Sequence, residues 1–304
     1  MAARATGALV AAALGLAALA AGGSASRAAS ICDAVLASSE AGTVRDPALR
    51  EISGIDAGSA SPGVWWLHND SGNPARLFAI DRRGRTLRTY SLAGVTAVDW
   101  EDIAVGPGPT PGASYLYVGD IGDNGANRSE VQVLRVREPT VSPGRAVTLD
   151  DVATLRLRYP DGPRNAEALV VDPQRRQLYV IEKRQDGRPA GIYRAPAGLP
   201  DGSRTTLRRV GELRLGAGLG NAVTAADVSA DGARLAVRTY GAVLLWQRPR
   251  GRTIVQALTG PRCVGPIPFE LQGEAIAFRP DGRGYATIAE GARQTLHLVA
   301  IRGR

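Results

Sequence analysis

The 304-residue chain is poor in soft metal ligands: it has two cysteines, two histidines and one methionine. Two cysteines exclude a cysteine-built zinc site, and the shortage of all three residue types disfavours soft metals generally. There is one lysine, Lys183, against 36 arginines, and the net charge of +8 is spread along the chain without a basic block. Aromatic residues make up only 5%, and nothing resembles the aromatic-plus-basic platform of single-strand binders. Nucleic acid is therefore not an expected partner. No apolar run reaches the ~18 residues of a membrane span, the nearest being Ala8–Ala21 at the very start. No stretch sustains apolar residues at helical spacing. Glycine and proline together supply about 18% of the chain, a composition that suits many short strands joined by tight turns.

The start of the chain has a processing signature. Arg4 precedes the apolar stretch Ala8–Ala21, and Gly22-Gly23-Ser24-Ala25-Ser26 follow. A positive end, a short apolar region and small residues form a secretory signal peptide, expected over residues 1–26 with a cut after Ala20 or Ser26. An uncleaved anchor is the alternative. Ile31, just before Cys32, breaks a lipobox. Export predicts a secreted or extracellular protein, free or associated with the cell surface, with no stable membrane insertion once the signal is removed. Outside the cell, Cys32 and Cys263 are the one intramolecular pair available; two unpaired thiols are the other reading. The expected division is an N-terminal segment with Cys32 (27–41) and a single domain (42–304).

That domain repeats itself. A first strand recurs as Ile52-Ser53-Gly54-Ile55, Trp100-Glu101-Asp102-Ile103, Ala166-Glu167-Ala168-Leu169, Ala225-Ala226-Asp227-Val228 and Gly273-Glu274-Ala275-Ile276. Three copies continue into turn signals, such as Arg279-Pro280-Asp281-Gly282. Second and third strands follow in every copy. A fourth follows in four copies, at Thr86–Leu92, Val152–Tyr159, Leu207–Leu215 and Thr253–Leu258. Four short antiparallel strands per repeat predict an all-β, five-bladed β-propeller. The long interval from 102 to 168 leaves a six-bladed ring as the runner-up. The fifth copy ends without its fourth strand, and an open edge is a liability, so an N-terminal strand at Gly42–Arg50 is expected to close the ring. Cys32 and Cys263 flank that closure, where a disulfide would pin it.

In a propeller, the start of the first strand and the end of the second meet at one mouth of the central channel. Both places are rich in acids here. The candidate ligands are Glu101, Asp102, Glu167, Asp227 and Glu274 at strand starts, with Asp120, Asp123, Glu182 and Glu290 near the ends of second strands. Clustered carboxylates repel unless a cation joins them. Hard oxygen donors at this density suit Ca²⁺, or Mg²⁺ with retained waters. The competing reading is that these acids cap backbone N–H groups or pair with Arg128, Lys183 or Arg238. No nucleophile-elbow pattern surrounds any serine, so a serine triad is not indicated. His68, in His68-Asn69-Asp70, is the candidate acid/base, and Lys183 the candidate acid/base or anion clamp. His297, within a third strand, reads as structural.

The pairing of Glu167-Ala-Leu-Val-Val-Asp172 with Leu178-Tyr-Val-Ile-Glu182-Lys183 is similar to the calcium-dependent β-propeller phytases. So is the pairing of Gly273-Glu274-Ala-Ile-Ala-Phe with Tyr285-Ala-Thr-Ile-Ala-Glu290. The pattern also resembles the SdiA-regulated bacterial propellers. The phytase resemblance implies Glu167, Asp172, Glu182, Lys183 and Glu274 as residues of a Ca²⁺ site that holds phosphate and activates water. The early Asp cluster, the lysines and the six blades of those phytases are missing. Propeller lactonases hold one Ca²⁺ through Glu, Asn and Asp from different blades, a set that Glu101, Asn165, Asn221 and Asp227 would mimic. Two functions are thus expected: a calcium-dependent hydrolase of phosphate esters or lactones, or a non-catalytic propeller that binds a small molecule or extracellular protein and uses a cation only to hold its ring.

Overall fold

In the computed structural model, which describes Met1 and residues 30–302, five small antiparallel sheets surround a central channel. The expected signal peptide otherwise lies outside the described residues. The inner strands are Ile52–Ala57, Trp100–Pro107, Ala166–Asp172, Val223–Val228 and Gly273–Phe278. Each packs beside the next, and the fifth returns to the first. The chain is a five-bladed β-propeller.

The inner strands are buried along almost their whole length, because their two faces pack against the blades on either side, as Ala168 and Val170 on one side and Leu169 and Val171 on the other show for blade three. The core is accordingly divided into five apolar clusters, one at each interface between blades. Trp66 and Trp100 fill the interface of blades one and two, and Trp246 fills that of blades three and four. Each blade therefore gains its buried apolar area from its neighbours, the usual logic of repeat folds.

Two sequence expectations need correction, and the six-bladed runner-up is set aside. The closing strand is Val35–Thr43, not Gly42–Arg50, and it pairs antiparallel with Thr295–Arg302 of blade five. Residues from Val44 onward instead enter the apolar contact between blades five and one, where Val44 and Leu49 have no exposed surface. Thr253–Leu258 is not the fourth strand of blade four. Thr253 and Gln256 form a capping box on a one-turn helix, Ile254–Leu258, and the strand follows at Arg262–Gly265. The helix is not readable from its β-branched residues. It forms because Ile254, Ala257 and Leu258 bury against the interface of blades three and four. Finally, the long interval hides no sixth blade. Ala153–Arg158 completes blade two, and Val147–Leu149 adds a short parallel strand to the outer edge of blade one.

Cys32 and Cys263 form a disulfide with Cα atoms 5.6 Å apart. Cys263 lies in the outer strand of blade four, and Cys32 just precedes the closing strand of blade five. The bond therefore ties the last-added strand to the neighbouring blade. No described helix is long and apolar enough to cross a membrane.

Candidate functional site at the channel mouth

A single irregularity, repeated five times, builds the mouth. In every inner strand the pairing slips once at the second residue, leaving Ser53, Glu101, Glu167, Thr224 and Glu274 bulged. A bulge kinks the strand and re-aims a side chain. The Ser53 hydroxyl donates to the Glu101 carbonyl (2.6 Å) and the Thr224 hydroxyl to the Gly273 carbonyl (2.9 Å). The other three places carry glutamates. The bulge also corrects the repeat alignment of blade four by two residues: Thr224, not Ala226, is the counterpart of Glu101. Asp227 then matches Asp56 rather than Asp102.

Around Glu101 the chain collects acids. Asp70 follows the second strand of blade one, and Asp99 precedes the inner strand of blade two. One carboxylate oxygen from each of Asp70, Asp99 and Glu101 lies within 4.8 Å of the others. None of the three joins an ion pair among the described residues. The cations that bear on them are engaged elsewhere, Arg128 with Asp120 (2.8 Å) and Lys183 with Glu167. Burial, then repulsion by neighbouring acids, raises the pKa of all three, and that of Glu101 goes well above the ordinary range, with Glu167 the strongest charge acting on it. Gly122 makes the cluster fit. A Cβ there would overlap Glu101 Oε1 and Asp99 Oδ2, so only glycine lets the loop close over these oxygens. Three hard donors held without a counter-charge match Ca²⁺ or Mg²⁺.

Beside this cluster, Lys183 Nζ donates to Glu167 Oε1 and to the Tyr240 hydroxyl (2.9 Å). Glu167 Oε2 is buried without a hydrogen-bond partner. Burial pushes Glu167 up to about 8, against the pull of Lys183. Burial likewise takes Glu274 to about 7. Burial works against the charged form of Lys183, yet Glu167 outweighs it and holds that pKa above the ordinary lysine value. Glu290 stands at the edge, accepting from Gln272 Nε2 (2.6 Å).

The remaining sequence candidates lie elsewhere. Asp102 has no exposed surface. It accepts from the backbone N–H of Ile103 (2.9 Å), of Leu169 in blade three (2.9 Å) and of Ala226 in blade four (3.2 Å). Asp227 similarly accepts from Val228 and from Phe278 of blade five, and Asp56 from Ala57 and Val105 of blade two. These aspartates fasten blades together inside the channel, and the places of Asp102 and Asp227 as mouth ligands are corrected. Asp120 accepts from the Val98 and Asp99 N–H groups and holds the mouth loop from behind. Asp123 caps the turn at Asn127 and Arg128. Glu182 pairs with Arg184 (2.7 Å) and accepts from Gly191 N–H. Asp172 sits at the far end of its strand in a buried bidentate pair with Arg248 (2.8 and 2.9 Å).

His68 is fully buried, edge-on to Trp100 and packed against the Gly54 backbone. Burial takes it down to about 4, so the ring is neutral, with Nδ1 on the Asn69 carbonyl (2.9 Å) and Nε2 buried without a hydrogen-bond partner. Asn165 and Asn221 are spent on Asp123 N–H and the Ala217 carbonyl, so the lactonase-like set is not assembled. Sequence reasoning missed Asp99 and Tyr240. Asp99 flanks residues already singled out, and pairing across the bulge was the signal that would have joined it to them.

No family model and no curated protein matches the chain. Among solved structures, it is similar to the PQQ-bound aldose sugar dehydrogenase of Streptomyces coelicolor, at 12% identity and a TM-score of 0.46 over 88% of this chain and 99% of that one. It is also similar to a Thermus thermophilus protein described as an oxidoreductase (glucose dehydrogenase), at 14% identity and a TM-score of 0.45 over 87% and 100%. The β-propeller rests on the five-sheet topology, and no family model or curated protein ties the chain to the phytase-like or SdiA-regulated types.

Proposed function

We propose that this propeller binds a divalent cation, Ca²⁺ or Mg²⁺, at its channel mouth and uses it to hydrolyse a neutral ester or lactone outside the cell. The observation that carries the reading is the set of Asp70, Asp99 and Glu101, three converging carboxylates with no ion-pair partner among the described residues. These residues would hold the cation, which when bound polarises an ester carbonyl and lowers the pKa of water. Glu167 supplies the proton chemistry. Its unpartnered Oε2 accepts a proton from water, and its raised pKa suits return of that proton near neutral pH. Lys183 and Tyr240 fix the orientation of Glu167 through Oε1. Nothing at the mouth favours phosphate esters: the cations beside the cluster, Arg128 and Lys183, are held by Asp120 and Glu167, which leaves no free cationic clamp for a phosphate dianion among the described residues.

The second reading is a structural cation in a binding propeller, favoured by one fact: Asp70 belongs to blade one and Asp99 and Glu101 to blade two, so a cation would bolt two blades together. Calorimetric titration of EDTA-treated protein with Ca²⁺ and Mg²⁺, beside Asp99→Asn, tests the site. Absence of binding overturns both readings. Hydrolysis of γ- and δ-lactones and p-nitrophenyl acetate, with Glu167→Gln, separates them. A hydrolase loses turnover in that variant while keeping its cation-dependent melting shift.

A further inference from the structure

The side of the ring away from the mouth holds a second site. From Glu101 to Pro107 the inner strand of blade two runs six residues, roughly 20 Å at 3.3 Å per residue, and a cavity of about 710 Å³ opens at that far end between blades two and three. Its walls are apolar: Tyr117, Leu155, Val171, Leu178 and Leu199. The volume suits a small organic molecule, and sites of this kind combine an apolar wall with a few fixed polar groups. Three arginines line the cavity; Arg175 donates to the Gly251 carbonyl (2.9 Å), and Arg135 and Arg176 supply the polar groups for a ligand. Arg135 is 6% exposed. Its Nη2 donates to the Leu199 carbonyl (2.9 Å) and to Asp201 Oδ1 (2.5 Å), and its Nε has no partner. Asp201, in contrast, leaves 69% of its side chain in solvent. Arg176 is held at φ +54° in the turn that closes with its N–H on the Asp172 carbonyl (2.8 Å), and its guanidinium reaches the Gly108 carbonyl. A left-handed backbone favours glycine, and a long charged side chain kept there is a reason to look for a ligand. Asp201 is the one carboxylate in the cavity wall, and it is also its most solvent-exposed partner.

We propose that this cavity is a binding site for a small apolar organic anion, a carboxylate or sulfonate. Its charged end takes the place of Asp201 on Arg135 and lies within reach of Arg176, while its apolar body covers Leu155, Val171, Leu178 and Leu199. Asp201 then acts as a built-in competitor, a solvent-facing counter-ion that swings out when a better-buried anion arrives. The site is independent of the mouth and of any cation there.

Octanoate and the fluorescent sulfonate 1-anilinonaphthalene-8-sulfonate are the probes, with octan-1-ol as the uncharged control. The expected result is saturable binding of both anions in competition with each other, and binding of octan-1-ol weaker by on the order of tenfold, as loss of a charge-assisted hydrogen bond implies. Asp201→Asn removes the competitor and tightens octanoate binding. Arg176→Gly weakens it by roughly tenfold without lowering Tm, because the backbone there no longer opposes its side chain. Glu101→Gln leaves it unchanged. Equal binding of octan-1-ol, no binding of either anion, or indifference to both Asp201→Asn and Arg176→Gly overturns the proposal.

Discussion

Replacing Asp102 tests how this ring holds together. The carboxylate reaches three blades: its own through Ile103, blade three through Leu169 and blade four through Ala226. In Asp102→Ala, the Ile103, Leu169 and Ala226 N–H groups lose this acceptor in the buried channel. Each stranded buried donor costs about 1–3 kcal/mol, so the three together cost about 3–9 kcal/mol. One term works the other way. Burial raises the pKa of Asp102 well above the ordinary range, so the native channel bears a penalty for its charge that alanine removes. The net expectation is a loss of about 2–4 kcal/mol. Asp102→Asn keeps one acceptor oxygen, which can serve the two inter-blade donors, but its NH2 then faces the Ile103 N–H donor and leaves that one group unmet, so it should lose about 1–2 kcal/mol. Guanidinium unfolding followed by the fluorescence of buried Trp66, Trp100 and Trp246 reads both variants, with the m value as a check on the denatured state. An alanine variant within about 0.5 kcal/mol of the parent, or an asparagine variant as damaging as alanine, would refute inter-blade stapling as the role of this residue.

Other expectations follow from the same geometry. Glu167, Glu274 and Asp227 have folded pKa values of about 8, 7 and 7, above their unfolded values near 4. The folded protein thus binds more protons than the unfolded chain between those limits, so in EDTA its Tm should fall as pH rises from about 4 to 8. A Tm that climbs over this window contradicts the assignment. Calcium binds the deprotonated acids and should flatten or reverse the trend. Removing both cysteines with Cys32→Ser and Cys263→Ser opens a loop of 231 residues, and the chain-entropy model gives a loss of about 5 kcal/mol; differential denaturation with and without reductant checks it. Gly122→Ala drives a methyl group into Glu101 and Asp99 and should abolish cation binding by calorimetry while the ring stays folded by circular dichroism.

The architecture was legible because it repeats. Five aliphatic-ended first strands and their turn signals fixed the blade count, and the unmatched strand of the last copy pointed to closure from the N-terminus. What failed were places where tertiary contact overrides local preference. Thr253–Leu258 has a strand's composition but caps and buries as a helix. The closing strand reads as polar, Ser38-Ser39-Glu40, because one side of it faces water at the rim. The mouth was half legible. Glu101, Glu167 and Glu274 share a register position and converge as expected. Asp102 and Asp227 look alike in sequence yet serve the interior: Asp102 stands one residue past its bulge and Asp227 three past, and both accept from the backbone of neighbouring blades. No composition argument distinguishes His68 as a base from His68 as packing; only the closeness of Gly54 does.

The five bulges have a consequence for how such a molecule changes over time. Beyond the apolar clusters, adhesion between blades is carried mainly by Asp56, Asp102 and Asp227, while the mouth is lined by Ser53, Glu101, Glu167, Thr224 and Glu274, of which Ser53 and Thr224 each add a single hydroxyl bond to the next blade. The ring therefore behaves as a holder with five sockets, each of which can be refilled with an acid, a hydroxyl or a base while the holder stays shut. Ser53 and Thr224 already show two sockets filled without charge. Exchanging them for carboxylates, or Glu274 for a serine, would re-key the opening without redesigning the ring of strands behind it, and a lineage of such proteins would be expected to diverge in ligand long before it diverges in shape.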